Sequence, residues 1–145
     1  MSGISGGDEP VPHVTGIGET ALHVTDLDRS TRFYQRLFAF TKIVSDHRFC
    51  ALRVNDQQVL LIFKKGGTQD PVPTPGGVIP PHDGQGQLHV AFTIATTGWA
   101  EWENRLREQE IAIESIVEWE HGSRSLYFRD PDGHLIELAT PGIWD

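Results

Sequence analysis

The chain has 145 residues, a formal net charge of −8, and a composition that is 38% apolar and 22% charged. This size and composition predict one globular domain with a real hydrophobic core, and the negative charge argues against binding to nucleic acid or to anionic membrane surfaces. The single cysteine, Cys50, excludes an internal disulfide framework.

Residues 1–15 are predicted to be a flexible tail. The segment begins MSGISGGDEPVPH and has neither the basic nor the apolar region of a secretion signal. No stretch reaches the roughly 18 apolar residues of a membrane span. We therefore expect a cytoplasmic protein with one domain over residues 16–145.

Residues 16–65 are predicted to form a first module with the order strand, helix, strand, strand, strand. The segment ending in ALHVTD alternates as a strand does. The following DLDRSTRFYQRLFAF has apolar residues close to helical spacing, with Asp26 or Asp28 as the helix cap. Three strands are then predicted, in KIVSD, FCALRVND and QQVLLIFKK.

Residues 66–87 contain five prolines and six glycines, a composition that predicts no helix or strand. A loop of this length is a linker or a lid over a functional site. Residues 88–145 then repeat the order of the first module, from the strand QLHVAFTI to the strand HLIELAT. The sequence therefore predicts an α+β fold of two βαβββ modules that form a cupped mixed sheet.

The tripeptide Leu-His-Val occurs in the first strand of each module, with its histidine at His23 and at His89. Duplication of a module explains the position of the repeat, but not the choice of histidine. Because side chains alternate across a strand, we expect the aliphatic neighbours to pack under the helices and both histidines to share the concave face. Glu137 interrupts the apolar last strand in the same way, where an unpaired carboxylate is unfavourable.

His23, His89 and Glu137 together predict a site for one divalent metal ion. Two imidazoles and one carboxylate with open coordination positions are typical of non-haem Fe(II), and Mn, Ni, Co or Zn can use the same set. Each residue alone has an ordinary explanation, such as a hydrogen-bonded core histidine or a glutamate paired with an arginine. The metal interpretation depends on the coincidence of the three.

The segment YFRDPDGHLIELATPG, with the two strand histidines, resembles the vicinal-oxygen-chelate superfamily. That superfamily includes glyoxalase I, bleomycin-resistance proteins, fosfomycin-resistance thiol transferases and extradiol dioxygenases. The resemblance covers roughly residues 17–144. It implies paired βαβββ modules around a metal held by His23, His89 and Glu137, a small-molecule substrate, and a homodimer whose cups are often assembled from swapped modules.

The resemblance also implies roles for three neighbours of the metal site. Glyoxalase I proteins have a fourth ligand on the last strand of the first module, where the matching position is at or near Leu61, which cannot bind metal. This favours the members with three ligands and leaves Leu61 as a substrate-site residue. In those members Tyr127 matches an active-site tyrosine, and Ser125 matches a serine near an anion site.

Two further candidates depend on strand parity and loop position. Arg53 is predicted to face the cup from the third strand, where a guanidinium would orient a carboxylate or phosphonate; a salt bridge is its alternative role. His121, on a loop of the second module, is a candidate acid or base, and a solvated loop residue is the alternative.

The leading hypothesis is a mononuclear metal enzyme, with Fe as the first expected metal. Its substrate would bind the metal through two adjacent oxygens and accept a hydrogen bond from Tyr127. Ring-cleaving dioxygenase-like chemistry is slightly favoured, because three ligands leave room for substrate and oxygen. A glyoxalase-like lyase or isomerase and a fosfomycin-type thiol transferase are close alternatives. A metal-free, bleomycin-resistance-like drug-binding protein is the alternative from another class.

Overall fold

The computed structural model describes residues 10–145. The first nine residues of the predicted tail lie outside this range, and residues 10–15 form no helix or strand. The described elements are, in chain order, β1 Glu19–Val24, α1 Leu27–Phe38, β2 Thr41–Ser45, β3 Phe49–Asn55, β4 Gln58–Lys64, β5 Val72–Thr74, β6 Gly77–Ile79, β7 His89–Thr93, α2 Trp99–Glu108, β8 Ser115–Glu118, β9 Arg124–Arg129 and β10 Leu135–Ala139.

The strands form two separate four-stranded sheets with the same topology. Sheet one has the strand order β1-β4-β3-β2, and sheet two has the order β7-β10-β9-β8. In each sheet the first and last strands of the module pair in parallel, and the other neighbours pair antiparallel. The predicted fold of two βαβββ modules is confirmed, with each module forming its own sheet. β1 and β7 are therefore both edge strands.

One face of each sheet is buried in a common core. Leu22 and Val24 of β1 are buried there, as are Ile136 and Leu138 of β10. Tyr34 of α1 joins them. Burying such an aliphatic side chain stabilises the fold by roughly 1.5–3 kcal/mol, so the apolar residues decide which way each strand faces. The other face of each sheet is here called the open face.

The helix ends follow local capping rules. The carboxylate of Asp26 accepts a hydrogen bond from the backbone N–H of Arg29 at 3.0 Å, which makes Asp26 the N-cap of α1. The helix ends where Ala39 adopts a left-handed conformation with φ of 60°. Within residues 10–145, neither helix is both long and apolar enough to cross a membrane.

The turn between β9 and β10, residues 130–134, is organised by Asp130. Its carboxylate accepts hydrogen bonds from the backbone N–H groups of Asp132 and His134, at 3.0 and 2.9 Å. The phenol of Tyr34 on α1 donates a third hydrogen bond at 2.6 Å. Because Asp130 is buried, these donors satisfy a carboxylate that water cannot reach.

The same turn ties the two modules together. The ring of His134 accepts a hydrogen bond from the backbone N–H of Leu88 at 2.9 Å and donates one to the carbonyl oxygen of His23 at 2.7 Å. The carboxylate of Asp132 accepts from the backbone N–H of Thr25 at 2.8 Å. The Asp-Pro-Asp-Gly-His segment thus acts as a structural clamp on β1.

The proline- and glycine-rich segment, residues 66–87, contains a short hairpin. β5 and β6 pair antiparallel, with Pro73 opposite Val78 and Thr74 opposite Gly77. The prediction that this segment has no strand was wrong. Proline is tolerated in a two-stranded ribbon because its missing N–H can lie on the outer edge, so composition alone did not exclude pairing.

Candidate metal centre

A pocket of about 510 Å³ lies on the open face of sheet two. Its walls come from β7, β9 and β10, from the connection between β8 and β9, and from the C-terminal residues. The side chains that matter for chemistry are His89, Tyr127 and Glu137, and two indoles line the pocket beside them, Trp119 and Trp144.

His89 and Glu137 meet at the centre of this face. Nδ1 of His89 lies 2.9 Å from the carbonyl oxygen of Leu135 and must donate to it, because a carbonyl only accepts. In a neutral imidazole Nε2 then carries a lone pair, and it lies 3.3 Å from Oε1 of Glu137. Two acceptors at this distance need a cation between them, either a metal ion or a proton.

The other carboxylate oxygen of Glu137 is held from behind. The hydroxyl of Ser125 donates to Oε2 at 2.5 Å, and the indole N–H of Trp119 donates to the Ser125 hydroxyl oxygen at 2.8 Å. Ser125 is fully buried. Ser125 was expected to contact the substrate, whereas in the structure its hydroxyl donates a hydrogen bond to Glu137.

Tyr127 lies beside the same pair on β9, directly opposite Glu137 in the register. Its ring centroid is 6.5 Å from that of His89. Burial, and then the negative charge of Glu137, raise the pKa of Tyr127. The phenol therefore stays protonated at neutral pH and can donate a hydrogen bond into the pocket.

The strand registers make Glu19 the counterpart of His89. His89 is the first residue of β7, and β10 places Glu137 opposite Ala91. Glu19 is the first residue of β1, and β4 places Leu61 opposite Ala21. The two registers coincide when Glu19 is matched with His89, and this match places Leu61 at the position of Glu137.

The repeated tripeptide consequently does not occupy equivalent positions. His23 pairs with Phe63 near the end of β1, and its counterpart in sheet two is Thr93. His23 shares the open face with Glu19, as parity predicts, but lies four residues further along, about 13 Å at strand spacing. Glu19 could have been found from its distance to the following helix, which resembles that of His89.

His23 is enclosed where it lies. Its ring stacks on Phe63 and meets the ring of His82 edge-on, with centroids 5.6 Å away in both cases. It is 4% exposed, and within residues 10–145 its Nδ1 has no hydrogen-bond partner. Burial, and then the nearby His82, lower the pKa of His23, so the imidazole is neutral at pH 7.

The two remaining candidates are exposed. Arg53 lies on the open face of sheet one, opposite Val59 in the register. His121 is in the helical turn Glu120–Gly122 with a left-handed φ of 67°, and it does not line the sheet-two pocket. The structure thus gathers Ser125, Tyr127, His89 and Glu137 on sheet two, while Arg53, Leu61 and His23 are on sheet one.

A complete donor set does not form within the part of the chain that the structure describes. Among residues 10–145, no three His, Cys, Asp or Glu side chains are arranged to hold a metal ion together. The expected meeting of His23 with His89 and Glu137 therefore does not occur among these residues of one chain.

The chain is similar to enzymes of several activities. It is 26% identical over 133 residues to the metallothiol transferase FosB of Bacillus licheniformis, which covers 91% of this chain and 79% of that protein. It is 31% identical over 128 residues to biphenyl-2,3-diol 1,2-dioxygenase 3 of Rhodococcus globerulus, over 83% of this chain and 63% of that protein.

A solved structure and a family profile agree with the fold. The lactoylglutathione lyase of Agrobacterium tumefaciens superposes with a TM-score of 0.82 at 29% identity, covering 90% of this chain and 97% of that one. The family profile matches residues 16–138. The chain therefore belongs to the Glyoxalase/Bleomycin resistance protein/Dioxygenase superfamily.

Proposed function

We propose that this protein is a divalent-metal-dependent enzyme of lyase or transferase type that acts on a small molecule with adjacent oxygen atoms. The observation that carries the proposal is the 3.3 Å approach of His89 Nε2 to Glu137 Oε1. The other ring nitrogen of His89 is hydrogen-bonded to Leu135, and the other carboxylate oxygen of Glu137 is hydrogen-bonded to Ser125. The lone pairs of His89 Nε2 and Glu137 Oε1 therefore remain for a cation.

The third donor is proposed to be Glu19 of a second copy of the chain. It stands at the position equivalent to His89, is exposed, and belongs to an edge strand. Joining the open face of sheet one from one copy to the open face of sheet two from another would bring Glu19 to His89 and Glu137. This arrangement makes the protein a homodimer with two identical sites.

The donor set affects which metal is expected. One imidazole with two carboxylates is harder than the two imidazoles and one carboxylate typical of Fe(II) oxygenases, and oxygen-rich sets suit Mn²⁺. We therefore propose Mn²⁺ ahead of Fe, Ni, Co or Zn. When bound, the ion would polarise the substrate oxygens as a Lewis acid.

The protein groups around the ion have separate tasks. The protonated phenol of Tyr127 is placed to donate a hydrogen bond to a substrate oxygen. The indole of Trp119 provides an apolar wall beside the reacting atoms. Of the residues that the structure describes, no Lys or Arg lines the sheet-two pocket, so an anionic substrate would depend on Arg53 from the opposite copy.

Ring-cleaving chemistry is not supported as the leading assignment. The dioxygenase relative is matched over 63% of its length, whereas the FosB relatives from B. licheniformis and Lysinibacillus sphaericus are matched over 79% and 86% of theirs. The lyase from A. tumefaciens superposes over nearly its full length. Thiol transfer and glyoxalase-like isomerisation are therefore the first reactions to test.

Metal titration of the purified chain tests the site directly. Wild-type protein, freed of metal with a chelator, should bind about one Mn²⁺ per chain in calorimetry. His89→Ala and Glu137→Ala should weaken binding by more than the ~10–100-fold loss that follows removal of a supporting residue. Unchanged affinity in both variants would overturn the proposed site.

Glu19→Ala and His23→Ala form a matched pair on the same strand and face. Glu19→Ala should lose metal affinity and His23→Ala should retain it, because the strand registers match Glu19 with His89. The opposite result would assign the third ligand to His23, as the repeated tripeptide suggested. Circular dichroism of both variants establishes that each is folded.

Activity assays then separate the reaction types. The Mn²⁺-loaded protein should convert fosfomycin with a thiol, or a methylglyoxal–thiol adduct, and leave catechols intact. Loss of the fosfomycin reaction in Arg53→Ala, with the thiol-adduct reaction unaffected, would identify Arg53 as the anion-binding group. Oxygen consumption with catechols would instead restore the dioxygenase assignment.

A metal-free drug-binding protein is the second candidate, because two indoles and a phenol line the pocket. In that case the metal-free protein would bind a flat aromatic ligand tightly. Calorimetry with such a ligand, with and without Mn²⁺, distinguishes the two, since a catalytic site requires the ion and a sequestering cleft does not.

A further inference from the structure

We propose that Trp119 is a positioning residue for Glu137 and acts on it through the hydroxyl of Ser125. The inference rests on the proposed function, in which Glu137 holds the metal ion. It adds a residue that hydrogen-bonds Ser125 rather than Glu137 itself and that also lines the sheet-two pocket.

The three side chains form a continuous chain of hydrogen bonds. The indole N–H of Trp119 donates to the oxygen of Ser125 at 2.8 Å, and the Ser125 hydroxyl donates to Oε2 of Glu137 at 2.5 Å. Ser125 has no exposed surface, and Glu137 is 8% exposed. Water therefore does not reach the Ser125 hydroxyl, which keeps the direction of its hydrogen bonds stable.

The indole determines the direction in which the hydroxyl proton points. An indole N–H is a donor and never an acceptor, whereas a hydroxyl has one proton and two lone pairs. With Trp119 on a lone pair of Ser125, the serine proton is directed to Glu137. The carboxylate is then held by Oε2 and presents Oε1 to His89, which is the oxygen that the ion needs.

Trp119 is also in contact with the space that a substrate would fill. Its backbone N–H closes the turn before β9 by donating to the carbonyl oxygen of Ser123 at 2.8 Å. The residue is 39% exposed, and it lines the same pocket as Tyr127 and Glu137. Trp144 lines that pocket too and is 95% exposed, with no hydrogen bond among the described residues.

Metal titration of four variants tests the chain of bonds. Trp119→Phe keeps an aromatic wall and removes the N–H, and Ser125→Ala removes the relay. Each should weaken Mn²⁺ binding by about 10-fold or more, in the range for residues that orient a ligand. The double variant should bind as weakly as Ser125→Ala alone, because both act through one path.

Trp144→Phe is the matched control, because it removes an indole from the same pocket without a hydrogen bond to the carboxylate. It should bind Mn²⁺ as the wild type does. The proposal is overturned if Trp119→Phe behaves like Trp144→Phe, or if the losses in Trp119→Phe and Ser125→Ala simply add.

Nitrogen-15 NMR of the indole N–H groups provides a readout without metal. The Trp119 resonance, identified by its absence in Trp119→Phe, should exchange slowly with solvent, and Ser125→Ala should shift it and accelerate its exchange. Failure of that shift overturns the hydrogen-bond chain itself. If Ser125→Ala shifts the Trp119 resonance but the wild type binds no Mn²⁺, the hydrogen-bond chain is retained. The proposed function is then overturned, and with it the role of Trp119 at the ion.

Discussion

At the scale of single residues, close packing explains why His23 is held where it is. A side-chain carbon added to Gly84 would lie 2.5 Å from Cδ2 and 2.9 Å from Nε2 of the His23 ring. Gly84 is therefore required by its neighbour, because any Cβ would overlap the imidazole. The end of the segment 66–87 is thereby fastened over the open face of sheet one.

Replacing Gly84 with alanine should destabilise the protein by about 1–3 kcal/mol, the usual penalty for overpacking. Urea unfolding measures the change. Gly76→Ala is the control, since nothing lies within 4 Å of a Cβ there, and it should leave stability nearly unchanged. Equal effects of the two substitutions would show that the contact with His23 is not the cause.

A second buried contact involves a phenol and a carboxylate. Tyr34→Phe should remove about 1.5–3 kcal/mol of stability, because it deprives the buried carboxylate of Asp130 of a charge-assisted hydrogen bond. Thermal or urea unfolding tests this. Tyr127→Phe removes the same atom from a pocket that water reaches, and should change stability by less than about 0.5 kcal/mol. A similar loss in both variants would show that the buried hydrogen bond to Asp130 is not the cause.

At the scale of secondary-structure elements, capping determines where the first helix begins. Asp26 and Asp28 both stand near the start of α1, and the sequence left the cap open between them. The structure assigns it to Asp26, whose carboxylate reaches the N–H of Arg29. Asp28 is in the first turn, where a negative charge interacts favourably with the helix dipole.

Asp26→Ala should therefore cost about 0.5–2 kcal/mol, the range for loss of an N-cap. Asp28→Ala should cost about 0.3–1 kcal/mol, and that smaller loss should disappear in high salt because it is a charge effect. Urea unfolding at low and high ionic strength measures both. A larger loss for Asp28→Ala would mean that the helix is capped there instead.

At the scale of the whole molecule, Glu19 lines a cavity with Val90 and Phe92 of β7, and among residues 10–145 it does not complete a metal-binding group with His89 and Glu137. In the proposed homodimer, each copy supplies Glu19 to one site and His89 with Glu137 to the other. This division predicts that two inactive variants can repair each other, which no site contained in one chain would do.

Glu19→Ala and His89→Ala, each unable to bind metal, should regain binding when they are mixed and refolded together. A heterodimer then contains one site with all donors intact, so statistical mixing restores about one quarter of the sites. Mixing His89→Ala with Glu137→Ala is the control, because both changes lie on the same module and no heterodimer has an intact site. Recovery in neither mixture would contradict the two-copy site.

Much of the architecture could be predicted because it depends on local periodicity. The strands around Leu22 and Ile136 alternate between apolar and polar residues, so the buried face follows from the sequence. The paired Pro73 and Val78 could not be predicted, since a hairpin in a proline-rich segment depends on which N–H groups face outward. Likewise, the sequence does not show that the hydroxyl of Ser125 donates a hydrogen bond to Glu137.

The sequence by itself determined the order of the two modules and the faces of their strands, including the shared face of His89 and Glu137. Only the tertiary structure decided the register, and with it the match of Glu19, rather than His23, to His89. The physical reason is that strand alternation repeats every two residues. It specifies a face but not an offset, and the offset is set by pairing with β4 and β10.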